Sequence, residues 1–191
     1  MRVPGAVSSV LSRLSSGTVA LAGLVIFLLF GALVLPGQAA AAEKASGGAG
    51  SPDTSFLYTP DDLLRQAEAY GAQGRAAYVR ARWTFDLAFP LVYGFFLVTS
   101  ISWLLHKALA PDSAWQRLNL VPVTAVAFDF LENTATSLVM ARYPADSPLA
   151  VALAPGLTLV KWILVYGSFA VLVLVAVASL VCALRRRSRA A

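Results

Sequence analysis

Residues 118–141 read LNLVPVTAVAFDFLENTATSLVMA, an apolar stretch that is long enough to cross a bilayer as a helix. Two carboxylates and an amide, Asp129, Glu132 and Asn133, lie in the middle of it. A charge at that depth costs at least ~2.5–3.5 kcal/mol, so each of these side chains needs a partner, a proton or a water-filled cavity. The stretch therefore predicts a membrane helix and indicates where function should be sought.

The composition of the whole chain is typical of a membrane protein. Hydrophobic residues make up 58% of the 191 residues, charged residues make up 13%, and the mean hydropathy is +0.70. Backbone groups in lipid must be satisfied within helices or a closed barrel, and the apolar stretches show no short alternating strands. The predicted fold is therefore all-α, a four-transmembrane-helix bundle with helices at 17–36, 83–105, 118–141 and 157–184.

Basic residues near the ends of the spans predict the orientation. They occur before the first span, between the second and third spans, and in the tail Arg-Arg-Arg-Ser-Arg at 185–189. We expect a multi-pass protein of the plasma (inner) membrane with both termini cytoplasmic. Its cytoplasmic segments would be 1–16, 106–117 and 185–191, and its extracytoplasmic loops would be 37–82 and 142–156.

The first span has an alternative interpretation as a signal peptide. Basic residues, an apolar core and the small residues of Gln38–Glu43 fit a cleavage site. The apolar core is longer than in most signal peptides, which favours an uncleaved anchor. Cys182 is the only cysteine, so the chain cannot form an intrachain disulfide.

The loop 37–82 is predicted to contain a flexible part and an ordered part. Ala39–Ser51 has the composition of a flexible linker. Thr59 can then cap an amphipathic surface helix at about 60–70, because Pro60 and two acids follow it. Its apolar face should carry Leu63, Leu64, Ala67 and Tyr70. Gly71 and Gly74 should end this helix.

A polar cluster in the outer half of the bundle is the predicted site. In the third span Asp129, Glu132, Asn133 and Thr136 share one helix face, and in the fourth span Lys161 supplies a counter-charge for acids of spans two and three. At least one carboxyl of the cluster should keep its proton. The candidate ligand or proton site comprises Asp86, Tyr93, Asp129, Glu132, Asn133 and Lys161, with Arg82, Thr136 and Thr158 as further contributors.

The second span offers a carboxylate and a free backbone carbonyl at one position. Pro90 follows Asp86 by four residues and cannot donate the helical hydrogen bond to the Asp86 carbonyl. Arg82 and Tyr93 lie on the same helix face. The alternative is that Pro90 is an ordinary membrane-helix kink and that Asp86 only pairs with Arg82.

No motif in the sequence names a reaction. His106, the only histidine, is interpreted as an interfacial residue at the inner end of the second span. Phosphate-binding glycine loops, metal-spaced cysteines or histidines and serine elbows do not occur, so no metal and no cofactor is predicted. The scattered basic residues argue against nucleic acid. The expected partners are membrane lipids, and a membrane protein partner or a homo-oligomer is also considered.

Four blocks carry a resemblance to known proteins. They are 74–78 (GRAAY), 86–93 (DLAFPLVY), 128–133 (FDFLEN) and 161–162 (KW), and over 55–183 they resemble uncharacterised small prokaryotic membrane proteins. The layout is also remotely similar to the EXPERA group of sterol isomerases and lipid-binding receptors. That similarity implies a role only for Asp86, Pro90 and Tyr93.

Three classes of function remain open. The preferred one is a membrane protein of unknown activity whose polar cluster fixes helix packing or binds a lipid or a partner. The second is a lipid-modifying enzyme, isomerase-like, with Glu132 as the protonated acid and Asp86 as the ionised base. The third is a proton- or ion-coupled carrier that works as an oligomer.

Overall fold

The computed structural model describes the backbone of residues 3–188, and the side chains of residues 5–188. Within this range the chain forms α-helices and two 3-10 turns, at Pro52–Thr54 and Ala114–Leu120, and no strand. This confirms the all-α prediction. The helices are α1 (Val3–Leu14), α2 (Gly17–Leu33), α3 (Leu35–Ser46), α4 (Pro60–Ala69), α5 (Gly71–Arg82), α6 (Phe85–Ala108), α7 (Val121–Arg142) and α8 (Pro148–Ser188).

Two or three of the helical stretches are apolar and long enough to cross a membrane, where the sequence predicted four. Two of them are the stretch Gly71–Ala108, which joins α5 and α6, and the helix α8, Pro148–Ser188. The third is the pair Gly5–Leu14 and Gly17–Leu33, which is bent by 87°. The predicted span that is not among these candidates is α7. It is helical over most of 118–141, but the polar residues at its centre lower its mean hydropathy.

The chain divides into two compact units, and each boundary between them falls inside a helix. The first unit comprises 1–28, 92–125 and 164–191. The second unit comprises 29–91 and 126–163. Of the predicted site residues, only Tyr93 belongs to the first unit.

The surface helix expected at about 60–70 runs from Pro60 to Ala69 as α4. Its first turn is held by a capping box, in which the Asp62 N–H donates to Thr59 Oγ1 (3.2 Å) and the Thr59 N–H donates to Asp62 Oδ2 (2.8 Å). Leu63 and Ala67 are fully buried in the core of the second unit, whereas Leu64 is exposed. α4 is therefore packed against the protein through one narrow face.

The linker prediction for Ala39–Ser51 is wrong in its first part. α3 continues to Ser46, because the run of alanines has high helix propensity and Pro36 suits the first turn. The helix ends at Ser46, and in the segment that follows Gly47, Gly48 and Gly50 have positive φ angles.

The two glycines expected to end α4 have different roles. Gly71 separates α4 from α5 with a φ of 60°. Gly74 lies inside α5, so the prediction that it breaks a helix is wrong. A Cβ at Gly74 would lie 2.4 Å from the Ala45 carbonyl oxygen, and the glycine therefore allows α3 and α5 to approach closely.

Candidate functional site: a buried ion network beside a cavity

Asp53 joins the two buried cations of the second unit. Its carboxylate forms an ion pair with Lys161 of α8 and lies 3.1 Å from Arg82 Nη1 at the end of α5. Its backbone carbonyl accepts hydrogen bonds from Lys161 Nζ (3.4 Å) and Trp162 Nε1 (2.9 Å). The 3-10 turn Pro52–Thr54 is thus fastened to two helices through one residue.

Sequence analysis missed Asp53. The residue lies in a stretch rich in glycine and serine, outside any span, where helical spacing gives no information about its neighbours. One signal was present: Asp53 is the only charged residue between Lys44 and Asp61. An isolated acid directly after a proline could have been considered as a partner for Arg82 or Lys161.

Arg82 is buried, with 7% of its surface exposed, and is surrounded by acceptors. Its Nη1 lies 2.7 Å from Asp86 Oδ2 and donates to Asn133 Oδ1 at 3.4 Å. Its guanidinium carbon lies 4.7 Å from the centre of the Tyr78 ring, in a cation–π arrangement. Arg82 was expected only as a contributor to the site, but it holds a central position in the network.

Lys161 and Glu132 form the deepest ion pair of the network. Lys161 Nζ donates to Glu132 Oε2 at 3.2 Å, and the two residues are 2% and 0% exposed. α7 thus supplies the partner expected for Lys161, whereas the acid of the second span, Asp86, pairs with Arg82. The second oxygen, Glu132 Oε1, has no hydrogen-bond partner among the described residues.

Asn133 connects the middle of α7 to α6. Its Nδ2 donates to the Asp86 backbone carbonyl at 3.4 Å and to Asp129 Oδ1 at 3.3 Å. The Asp86 carbonyl is the group that Pro90 leaves without a helical donor. The side chain of Asn133 therefore partners a backbone acceptor that would otherwise be buried and unsatisfied.

The two predicted threonines bond to the backbone of their own helices. Thr136 and Thr158 are fully buried, and their hydroxyls donate to carbonyls of their own helices. Thr158 Oγ1 also lies 2.9 Å from the Tyr58 hydroxyl. Tyr93 is buried in the first unit.

The charge of the network is unbalanced if every group is ionised. It contains four carboxyl groups (Asp53, Asp86, Asp129 and Glu132) and two cations (Arg82 and Lys161). In the loop, burial alone would raise the pKa of Asp53. The charges of Arg82 and Lys161, and the hydrogen bonds from them, outweigh burial and hold that pKa well below its usual value. Asp53 is therefore ionised at neutral pH.

Tyr58 is the neutral counterpart of Asp53 in the loop. Burial raises the pKa of the Tyr58 phenol to about 12, although its hydrogen bond with Thr158 acts in the opposite direction. The phenol therefore keeps its proton at neutral pH. Together, Asp53 and Tyr58 attach the segment before α4 to α8.

A cavity of about 260 Å³ lies beside the network and between α3 and α5. The wall from α3 consists of Gln38, Ala41, Ala42 and Ala45, which share one helix face. The wall from α5 includes Ala77, Ala81, Tyr78 and Arg82. Arg82 Nε is buried and has no hydrogen-bond partner in the part of the chain that the structure describes.

Comparisons with known proteins assign no family to this site. No family model matches the chain, and no curated protein or solved structure matches it. The two resemblances noted in the sequence therefore stay predictions, and a function has to be argued from the geometry.

Proposed function

We propose that this chain is a membrane protein that binds an uncharged, lipid-soluble molecule in the cavity between α3 and α5, through an oxygen acceptor that pairs with Arg82. The observation that carries the proposal is a buried, unpartnered Nε–H on Arg82, a residue that lines the cavity. A buried donor without a partner costs about 1–3 kcal/mol. A ligand oxygen in the cavity would recover that free energy.

The charge around Arg82 favours a neutral ligand over an anion. Nη1 of Arg82 is already in contact with Asp53 and Asp86, and the four carboxyls of the network still outnumber its two cations together with the exposed Arg80 of the cavity lining. A carboxylate or phosphate brought to Nε would meet this excess of acids. A carbonyl, ester or ether oxygen can accept the hydrogen bond without adding charge.

The walls of the cavity favour a slender apolar body. Five alanine side chains of the two helices leave a narrow apolar space, and the polar lining residues besides Arg82 include Gln38, Ser51, Arg80 and Thr84. Its volume of about 260 Å³ is close to the lower limit of small-molecule sites, about 300 Å³. A short acyl chain with an uncharged oxygen fits both the size and the chemistry.

The ion network supports this role by positioning Arg82. A guanidinium held on one edge by Asp53, Asp86 and Asn133, and over its face by Tyr78, cannot rotate freely. The unused Nε–H then keeps a fixed direction. A preorganised donor loses little side-chain entropy when the ligand binds.

The proposal includes a topology. α2, α6, α7 and α8 are the four spans, both termini are cytoplasmic, and the protein lies in the plasma (inner) membrane. α7 can be a span in spite of its acids because Arg82 and Lys161 supply counter-charges. The cavity then belongs to the extracytoplasmic half.

Binding is favoured over lipid-modifying catalysis at this cavity. An acid–base enzyme would need Glu132 or Asp86 within reach of the bound molecule. The residues that line the cavity include Arg82 and Tyr78 but neither of these acids. The acids instead serve the positioning of Arg82.

The test is photolabelling with a diazirine-bearing eight-carbon methyl ester and with the corresponding free acid. We expect the ester to label peptides of α3 and α5, and the free acid to label them more weakly. Ala42→Leu places a larger side chain in the cavity and should reduce labelling by the ester about tenfold, because overpacking costs about 1–3 kcal/mol.

Ala40→Leu is the matched control, since residue 40 lies in the same helix, is exposed and does not line the cavity. Its labelling should equal that of the wild type. Equal labelling of the Ala42→Leu and Ala40→Leu variants would contradict the proposal, as would stronger labelling by the free acid.

A further inference from the structure

α1 in the first unit buries two of its serines and exposes several of its apolar side chains. Ser8 and Ser12 are 3% and 8% exposed, whereas Val10 and Leu14 are 53% and 69% exposed. A helix on the surface of a soluble protein has the reverse arrangement. The exposed face of α1 is therefore suited to an apolar environment.

The buried serines are fixed by Asn119 of the second 3-10 turn. Its Nδ2 donates to the Ser8 carbonyl (3.1 Å), to Ser12 Oγ (3.2 Å) and to Ser102 Oγ (3.0 Å). Ser8 Oγ in turn donates to the Gln116 carbonyl at 3.2 Å. These bonds determine which face of α1 is turned inward, so the apolar face is held outward.

The angle between α1 and α2 fits a position of the exposed face in the membrane interface. The two helices are bent by 87°. If α2 crosses the bilayer, α1 lies along its surface. An amphipathic helix in that position rests its apolar face on acyl chains and brings its basic residues to the level of the lipid headgroups.

A second cavity, of about 510 Å³, lies beside α1. Two exposed arginines, Arg13 and Arg117, line it together with one acid, Asp112. Gln116 also lines it and is 8% exposed. Its Nε2 donates to the Ala110 carbonyl at 3.2 Å, but its Oε1 has no hydrogen-bond partner among the described residues.

We propose that this cavity binds the headgroup of an anionic phospholipid that carries a hydroxyl, as in phosphatidylglycerol. The phosphate pairs with Arg13 and Arg117, which supply more positive charge than Asp112 removes. The headgroup hydroxyl donates to Gln116 Oε1. The acyl chains then continue past the apolar face of α1, which a free phosphate would leave uncovered.

This inference rests on the membrane topology of the proposed function but not on the cavity between α3 and α5, because all its residues belong to the first unit. The test is native mass spectrometry of the full chain in mild detergent with added phosphatidylglycerol, phosphatidylmethanol or phosphatidylcholine. We expect phosphatidylglycerol to bind most tightly. Phosphatidylmethanol is anionic but lacks the hydroxyl, and should bind roughly threefold to tenfold more weakly, the effect of one hydrogen bond.

The double variant Arg13→Gln/Arg117→Gln should weaken phosphatidylglycerol binding at least about tenfold, since each basic residue contributes to binding of an anionic lipid. Arg186→Gln/Arg187→Gln is the matched control. It removes the same charge at the cytoplasmic end of α8, outside the cavity, and should bind the lipid like the wild type.

Three results would overturn the proposal. Equal losses in the two double variants would mean that binding reports only overall charge. Equal binding of the three lipids would remove the headgroup specificity. Displacement of the lipid by excess inorganic phosphate would assign the cavity to a soluble anion.

Discussion

Asp53 shows how one loop residue can neutralise charges that come from two helices. It is in contact with Arg82 and Lys161, and both cations also face acids of their own: Asp86 and Glu132. Removing Asp53 therefore leaves two buried cations with one acid partner each. The loop and the buried network are stabilised by the same contacts.

We expect Asp53→Asn to destabilise the protein by roughly 3 kcal/mol, because a partner of a buried ion pair is removed. Thermal or denaturant unfolding in detergent measures this. Asp61→Asn, which changes an exposed acid in the first turn of α4, should change stability by no more than about 0.5 kcal/mol. Equal effects of the two substitutions would contradict the central position of Asp53.

Acid should reduce the difference between wild type and Asp53→Asn. The pKa of Asp53 in the folded state lies below the ordinary value of 3.8, so its contribution to stability is fully present above that value. It is lost progressively as the pH falls from about 4 towards the lower pKa of the folded state. A stability difference that stays constant between pH 7 and pH 2 would show that Asp53 is not held ionised by Arg82 and Lys161.

At the scale of elements, the contact between α3 and α5 depends on Gly74. A Cβ added at this position would lie 2.4 Å from a backbone oxygen of α3, so Gly74→Ala forces the helices apart. We expect a loss of about 1–3 kcal/mol of stability and weaker binding in the cavity. Circular dichroism during thermal unfolding measures the first effect.

Gly37→Ala is the control for Gly74→Ala, since a Cβ at Gly37 meets no atom within 4 Å. Replacing a glycine by alanine in an open helical position should be neutral or stabilising by up to about 1 kcal/mol. If both variants are neutral, close packing of α3 on α5 does not define the cavity.

The elements that sequence analysis predicted are those with local signals. Thr59 and Pro60 determine the start of α4 through capping, and the apolar runs are helical where expected. α3 is not predicted, because the composition of residues 39–51 mixes the alanines of this helix with the glycines after them. Their helix propensity was the better guide.

The site was predictable only where the partners lie on predicted helices. The buried charge of Lys161 predicted an acid of α7 as its partner, and Glu132 Oε2 lies 3.2 Å from Lys161 Nζ. Asp53 could not be placed, because the path of a loop depends on tertiary contacts that have no period in the sequence. The unpaired Nε of Arg82 and the cavity that Arg82 lines are likewise properties of the folded chain alone.

At the scale of the whole molecule, the topology can be tested directly. In a Cys182→Ser background, a membrane-impermeant maleimide applied to intact cells should modify Ser55→Cys and spare Ser113→Cys. Both positions are half-buried serines outside the long helices, so their accessibility is comparable. Labelling in the reverse pattern would invert the orientation.

The central claim is that α7 carries its acids through the membrane because buried cations neutralise them. A double-mutant cycle on Lys161 and Glu132 tests it most directly, with the free energy of unfolding in detergent as the readout. Lys161→Met should cost about 3–5 kcal/mol, whereas Arg142→Met, which removes an exposed cation of α7, should cost no more than about 0.5 kcal/mol.

Adding Glu132→Gln to Lys161→Met should recover much of the loss, because a neutral amide needs no counter-charge. A neutral effect of Lys161→Met, with strictly additive effects in the double variant, would contradict the account.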